Sequence, residues 1–231
     1  MLLSIVPHNG QSALPSTASS GSTAASEASF RRGSSVISLS SSLILHQGAL
    51  LGFSFKTCQP SGQLVKQYGD ITNSFILSLT GSGSVRLEVK SGELSRVEEV
   101  GSNLADGQWH TVRVAVAQGR TTLCLSVDTE QECYPPRAGP SVINSGEESN
   151  TKRLEGVESL LQSLNLTGSS TSLVLGSGLV GCFREGPGVR LTSGRVETHI
   201  GVDWGTCLFP TSCQGEFIQF MHNAESTSGH H

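Results

Sequence analysis

Leu104-Ala105-Asp106-Gly107-Gln108-Trp109-His110-Thr111-Val112-Arg113-Val114-Ala115-Val116 is the stretch that decides the fold. Asp106-Gly107 is a turn signal, because glycine and short polar residues tolerate positive φ at low cost. After it, Trp109, Thr111 and Arg113 alternate with His110, Val112, Val114 and Val116. From His110 onward this is the period of a strand with one apolar face.

The same pattern recurs on both sides. Leu50 to Thr57 sets Leu51, Phe53 and Phe55 on one face. Pro60-Ser61-Gly62 is a turn, followed by a strand signal from Gln63 to Gln67. Phe75, Leu77 and Leu79 alternate, Gly81-Ser82-Gly83 turns the chain, and Val85, Leu87 and Val89 alternate again. Ser91-Gly92 leads into Leu94–Val100, and Gln118-Gly119 into Leu123, Leu125 and Val127. Closely spaced hairpins with one apolar face imply an all-β protein, a sandwich of two antiparallel sheets. No strand–helix–strand alternation is present, which disfavours an α/β enzyme fold.

Composition narrows the class. Charged residues make up 15% of 231, and the formal net charge is −4. Arg31-Arg32 is an isolated basic pair, so no nucleic-acid partner is expected, because phosphate binding needs clustered Lys and Arg. No apolar run approaches the roughly 18 residues of a membrane span. Met1–Val6 is too short for the apolar core of a signal peptide. The Ser/Ala-rich segment 1–29 reads as disordered, with order beginning near Phe30.

Six cysteines stand at 58, 124, 133, 182, 207 and 213. None forms C-x-x-C, and Cys207 and Cys213 lack histidines at finger spacing, which argues against zinc. An even count on a turn-rich β pattern fits disulfides in an oxidising compartment. Cys124 and Cys133 can bridge across the end of one strand.

The motifs fall in the order of a known family. Asp106-Gly107-x-Trp109-His110-x-Val112 resembles the turn and central strand of laminin G-like (LG, or LNS) domains. Phe30-Arg31-Arg32-Gly33 to Leu39 resembles their opening strand, and Phe53-x-Phe55-Lys56-Thr57 their aromatic-x-aromatic-basic-Thr strand. Gly62-x-Leu64, Ser172–Gly176 and Gly181-Cys182-Phe183-Arg184 match their later strands. Any one of these is weak; together, in order, they are strong. The resemblance covers about 30–207 and implies a concanavalin-like jelly roll. Such domains stand beside EGF repeats in Crumbs, Fat-type and Flamingo-type cadherins, neurexins and the agrin/perlecan proteoglycans. The segment 134–164 departs from the pattern as a long insertion. In it Leu154, Val157, Leu160, Leu161 and Leu164 recur at helical spacing, which predicts a short helix packed on the sandwich. Residues 208–231 read as a tail, with one possible short strand at Phe217–Met221.

The resemblance also assigns sites. It implies a terminal disulfide between Cys182 and Cys207, whose loss should cost about 2–5 kcal/mol. Cys58 and Cys213 are left over, Cys213 standing where an EGF repeat would begin, and Cys213→Ser is expected to cost far less. Many family members hold one Ca²⁺ on a rim. Here Asp70, Asn73 and Asn165 occupy the nearest places. With two neutral amides among them, weak or no calcium binding is expected, oxygen-rich charge being what this cation prefers. Asn165-Leu166-Thr167 is a glycosylation sequon. Trp109 reads as core or as a cover on the turn, and His110 as a structural residue beside it.

No G-x-S-x-G or H-E-x-x-H motif occurs, so no catalytic residue is assigned. The function the resemblance implies is recognition of an extracellular protein or glycan by loops on a rigid sandwich. The chain would then be a fragment of a larger cell-surface or matrix protein, itself membrane-anchored or matrix-bound. A carrier of a small apolar, steroid-like ligand would need a cavity between the sheets. A carbohydrate-active enzyme would need two carboxylates within roughly 5–10 Å in one cleft.

Overall fold

The computed structural model describes residues 26–40, 50–69, 72–117, 122–134, 159–164, 172–192, 194–209 and 213. Fourteen strands are present among them. They are β1 (Glu27–Phe30), β2 (Val36–Leu39), β3 (Leu50–Thr57), β4 (Gly62–Tyr68), β5 (Asn73–Leu79), β6 (Val85–Ser91) and β7 (Leu94–Val100). After these come β8 (His110–Ala117), β9 (Thr122–Val127), β10 (Glu130–Tyr134), β11 (Leu173–Leu175), β12 (Gly181–Arg184), β13 (Val196–Ile200) and β14 (Val202–Trp204). They form two seven-stranded sheets, ordered β10-β9-β8-β3-β12-β1-β14 and β13-β2-β11-β4-β5-β6-β7. Every ladder is antiparallel.

Alternation explains why these residues pair this way. Phe75, Leu77 and Leu79 of β5 and Val85, Leu87 and Val89 of β6 all point inward and are buried. A one-residue slip of either strand would turn its whole apolar set to solvent, so the register is strongly specified. Leu51, Phe53 and Phe55 of β3 face them from the other sheet, beside Val112, Val114 and Val116 of β8. Phe183 of β12 lies 5.1 Å from the Phe30 ring and 5.5 Å from that of Phe53. Fully burying each such side chain contributes about 1.5–3 kcal/mol. Leu64, Leu77, Leu87 and Leu123 are buried in the same core.

The opening of the chain differs from the expectation in two ways. β1 opens at Glu27, ahead of Phe30, hydrogen-bonded between β12 and β14, with the small Ala28 fully buried there. The expected single opening strand is two. Residues 31–35 turn between β1 and β2, and the two strands lie in different sheets.

A short helix occupies 159–163. Leu160 and Leu161 are buried against the sandwich and Leu164 packs beside them. Leu154 and Val157 lie outside the described residues, as does Phe217–Met221.

One glycine is indispensable to the packing. Gly176 follows β11 with φ of +78°, and a Cβ built there would stand 2.2 Å from Cε1 of Phe30.

Candidate binding site

Of the three expected calcium residues, Asn73 alone lies among the described residues. Asn73 opens β5 on its inward face, 5% exposed, in line with Phe75 and Leu77. Asp70 and Asn165 lie outside the described residues, and with Asn165 the glycosylation sequon. Among the described residues, no three His, Cys, Asp or Glu side chains cluster as a metal set.

The Asp106-Gly107 turn is a clamp built around His110. Gly107, with φ of +81°, donates its N–H to Thr57 O at the end of β3 (2.9 Å). His110 is buried, and both ring nitrogens meet carboxylates: Nδ1 lies 2.8 Å from Asp128 Oδ2 and Nε2 2.9 Å from Asp106 Oδ1. Carboxylates only accept, so both bonds together require the imidazolium. Burial works against that charge, but the two carboxylates outweigh it and hold the His110 pKa above its ordinary value. Burial likewise opposes the Asp106 carboxylate. The His110 ring and the Gln108 N–H overcome it and hold that pKa below the usual range. Asp128 also accepts the Thr111 N–H at 2.7 Å. His110 thus has a structural place beside the turn.

Trp109 is not in the main core. It joins a small cluster of Val180, Cys182 and Phe209 on the outer face of the first sheet. The Arg184 guanidinium lies 4.2 Å over its ring and donates from Nε and Nη2 to Glu27 Oε1 (2.9 and 2.7 Å).

That outer face is crossed by a strap, residues 205–209 with Cys213. Gly205 N–H donates to Glu27 O, Cys207 N–H to Glu27 Oε2 and Leu208 N–H to Ser29 Oγ. Lys56 Nζ, buried beneath, donates to Phe209 O (3.2 Å). Burial holds the Lys56 pKa below its ordinary value, with Glu27 opposing. Two disulfides pin the strap: Cys182–Cys207 and Cys58–Cys213, with Cα–Cα distances of 5.8 and 5.3 Å. A third, Cys124–Cys133, ties β9 to β10. No described cysteine is free. Cys213 is therefore not a leftover thiol beyond the domain. It closes onto Cys58 because the strap returns across β12 to the end of β3.

Among the described residues, a concavity lies at a corner of the sandwich. A groove of about 390 Å³ is lined by Arg31, Arg32, His199, Gly201, Val202 and Asp203. Arg31 forms an ion pair with Asp203, both half-exposed. The His199 ring meets the Trp204 indole edge-on at 5.4 Å. Sequence reading registered only Arg31-Arg32, as an isolated pair. His199, Val202 and Asp203 carry no motif. The available signal was a basic pair standing where a strand passes into a Gly-Ser-Ser turn, a place where side chains face solvent.

Two face-to-face antiparallel sheets, the first of them carrying all three disulfides of the described residues, define a jelly-roll scaffold. The model of the laminin G domain matches residues 55–185, more than half of the chain, and the chain belongs to that family. Its fold is similar to domains LG4–5 of the mouse laminin α1 chain. The TM-score is 0.51 at 17% identity, over 78% of this chain and 46% of that one. It is also similar to the LG1–3 region of the laminin α2 chain, with a TM-score of 0.50 at 17% identity, over 79% and 30%. The chain thus spans less than half the length of either laminin fragment. The family is one of non-enzymatic, commonly extracellular binding modules. No helix among the described residues is long and apolar enough to cross a membrane.

Proposed function

We propose that this domain is an extracellular recognition module, part of a larger adhesion or matrix protein, that binds a protein or glycan through the loops at the ends of its sandwich. The observation that carries the reading is the corner groove. Two arginines, one of them ion-paired with Asp203, and a histidine line it on a scaffold of this family. Loops on a fixed frame bind with little ordering cost. Three disulfides fit an oxidising, extracellular setting.

The test is staining of intact cells and deposited matrix with the oxidised chain presented as a tetramer, before and after glycosidase or protease treatment. The expected result is staining that one of the two treatments removes. Absence of staining on every untreated cell and matrix surface would defeat the reading.

A further inference from the structure

The three bridges differ in what they join. Cys182–Cys207 and Cys58–Cys213 fasten the strap, which is held besides by the buried Phe209, by Lys56 on the Phe209 carbonyl and by Glu27 and Ser29 on the N–H groups of Cys207 and Leu208. Cys182 itself is fully buried. Cys124 and Cys133 instead stand directly opposite each other in the β9–β10 ladder, 9 residues apart in sequence and with Cα atoms 4.1 Å apart. Leu123, Leu125 and Val127 turn into the core, so this bridge lies on the outer face of the first sheet. Cys133 is only half-buried. The exposed Gln131 donates from Nε2 to Cys133 Sγ at 3.1 Å, so a solvent-facing polar group meets this sulfur.

The strand that carries Cys133 is weakly held. β10 ends its sheet and pairs with β9 alone. Its inward positions, opposite Leu125 and Leu123, are filled by Glu132 and the half-buried Tyr134. Across the seam between the sheets, β7 sets Arg96 and Glu98 inward, opposite Val89 and Leu87. The Arg96 guanidinium lies 4.7 Å over the Tyr134 ring. Glu132 works the other way, because burial and then its charge raise the Glu98 pKa. Little apolar surface holds β10 down, and a like-charge pair pushes it off; such segments open locally at far less than the cost of global unfolding. We propose that Cys124–Cys133 is a thiol–disulfide exchange site for a dithiol reductant, and that opening it releases β10 while both strap bridges stay closed. A thiolate of the reductant attacks Cys133 Sγ, the S–S bond breaks, and Cys124 leaves as a thiolate that takes a proton from water. The reductant's second thiolate then attacks its own bridged sulfur, and Cys133 leaves beside the Gln131 donor. The dithiol becomes a disulfide, and the two electrons and two protons it loses end on Cys124 and Cys133.

The test treats the full oxidised chain with reduced thioredoxin, blocks the thiols at intervals by alkylation and maps them by peptide mass. Cys124 and Cys133 should be labelled about tenfold or more faster than the other four cysteines, because their strand opens locally and the strap does not. Hydrogen exchange on the chain reduced at that bridge alone should show protection at 130–134 falling about tenfold or more, with β3 and β8 unchanged. Cys124→Ser with Cys133→Ser should lose the same protection with no reductant present. Labelling of Cys58, Cys182, Cys207 or Cys213 as early as Cys133 would overturn the proposal. So would labelling of Cys124 and Cys133 only at the rate of global unfolding, or parental protection at 130–134 in the reduced chain or in the double variant. The labelling order uses no variant, so a folding defect in the double serine chain cannot shelter the idea.

Discussion

Replacing Cys58 and Cys213 together by serine severs one staple without leaving a lone thiol. The bridge spans a sequence separation of 155. In the chain-entropy model, closing a loop of that length in the unfolded chain is worth about 5 kcal/mol. Not all of this is lost, because the cut strap stays tethered at Cys207. Freeing the short segment beyond Cys207 in the native state returns about 2 kcal/mol in the same model. The net expected loss is about 3 kcal/mol, or roughly 6–12 °C in Tm for a chain of this size. Denaturant unfolding of the oxidised double variant against the parent measures it. Cys182→Ser with Cys207→Ser, a separation of 25, should cost about 3.5 kcal/mol in the same model before any such offset, against about 5 kcal/mol for the longer loop. The two pairs are therefore comparable, in contrast to the sequence-based expectation that Cys213 matters little. A loss below about 1 kcal/mol for the Cys58/Cys213 pair, or a Cys207–Cys213 peptide in a non-reducing digest, would refute the reasoning.

Three further outcomes are expected. His110 has a raised pKa when folded, so its contribution is complete below its ordinary value of about 6.5 and is lost as pH rises through the folded value. The lowered Asp106 pKa contributes above about 3.9 and is lost as pH falls through its folded value. Unfolding measured from pH 3 to 9 should therefore show the parent's advantage over His110→Gln greatest between about pH 4 and 6.5, and a difference independent of pH would contradict the clamp. Gly176→Ala should cost about 2–4 kcal/mol by urea unfolding, from positive φ plus collision with the Phe30 ring; a neutral effect would mean that Phe30 can move aside. Calcium titration should give a site no tighter than about millimolar, the weak end for oxygen-ligand sites. A micromolar site lost in Asp70→Ala would relocate the functional rim to the β4–β5 loop.

What sequence could show followed from which faces are buried. β3, β5, β6, β8 and β9 alternate because one side of each meets the core, so Phe53, Leu77, Leu87, Val114 and Leu125 mark them plainly. β10, β13 and β14 leave no such trace. They are edge strands whose residues are mostly exposed or half-buried, and their hydrogen bonds come from a neighbouring strand. The Asp106–His110 turn was legible as a turn, but not the second carboxylate, since Asp128 arrives on another hairpin. Cysteine connectivity was open for the same reason: the partner of Cys213 depends on where the strap lies. The groove was illegible because Arg31 and Asp203 are distant in sequence, and only the double change of sheet at one corner brings them together.

The Cys58–Cys213 bridge has a mechanical meaning. In a protein carrying load between cells or through matrix, tension would enter near Glu27 and leave beyond Cys213. Everything between the two bridged cysteines is a closed ring, so pulling can pay out only the stretch before Cys58, about 30 residues or roughly 100 Å when fully drawn. Without the bridge the same pull would unravel the whole sandwich to several hundred ångströms. The β1 strand would peel from β12 and β14 first, then β2 from β13 and β11 and β3 from β12 and β8, while the eleven strands after Cys58 stay out of the line of force. The domain would then behave as a short-travel link, yielding through its first three strands and stopping abruptly at the sulfur bond.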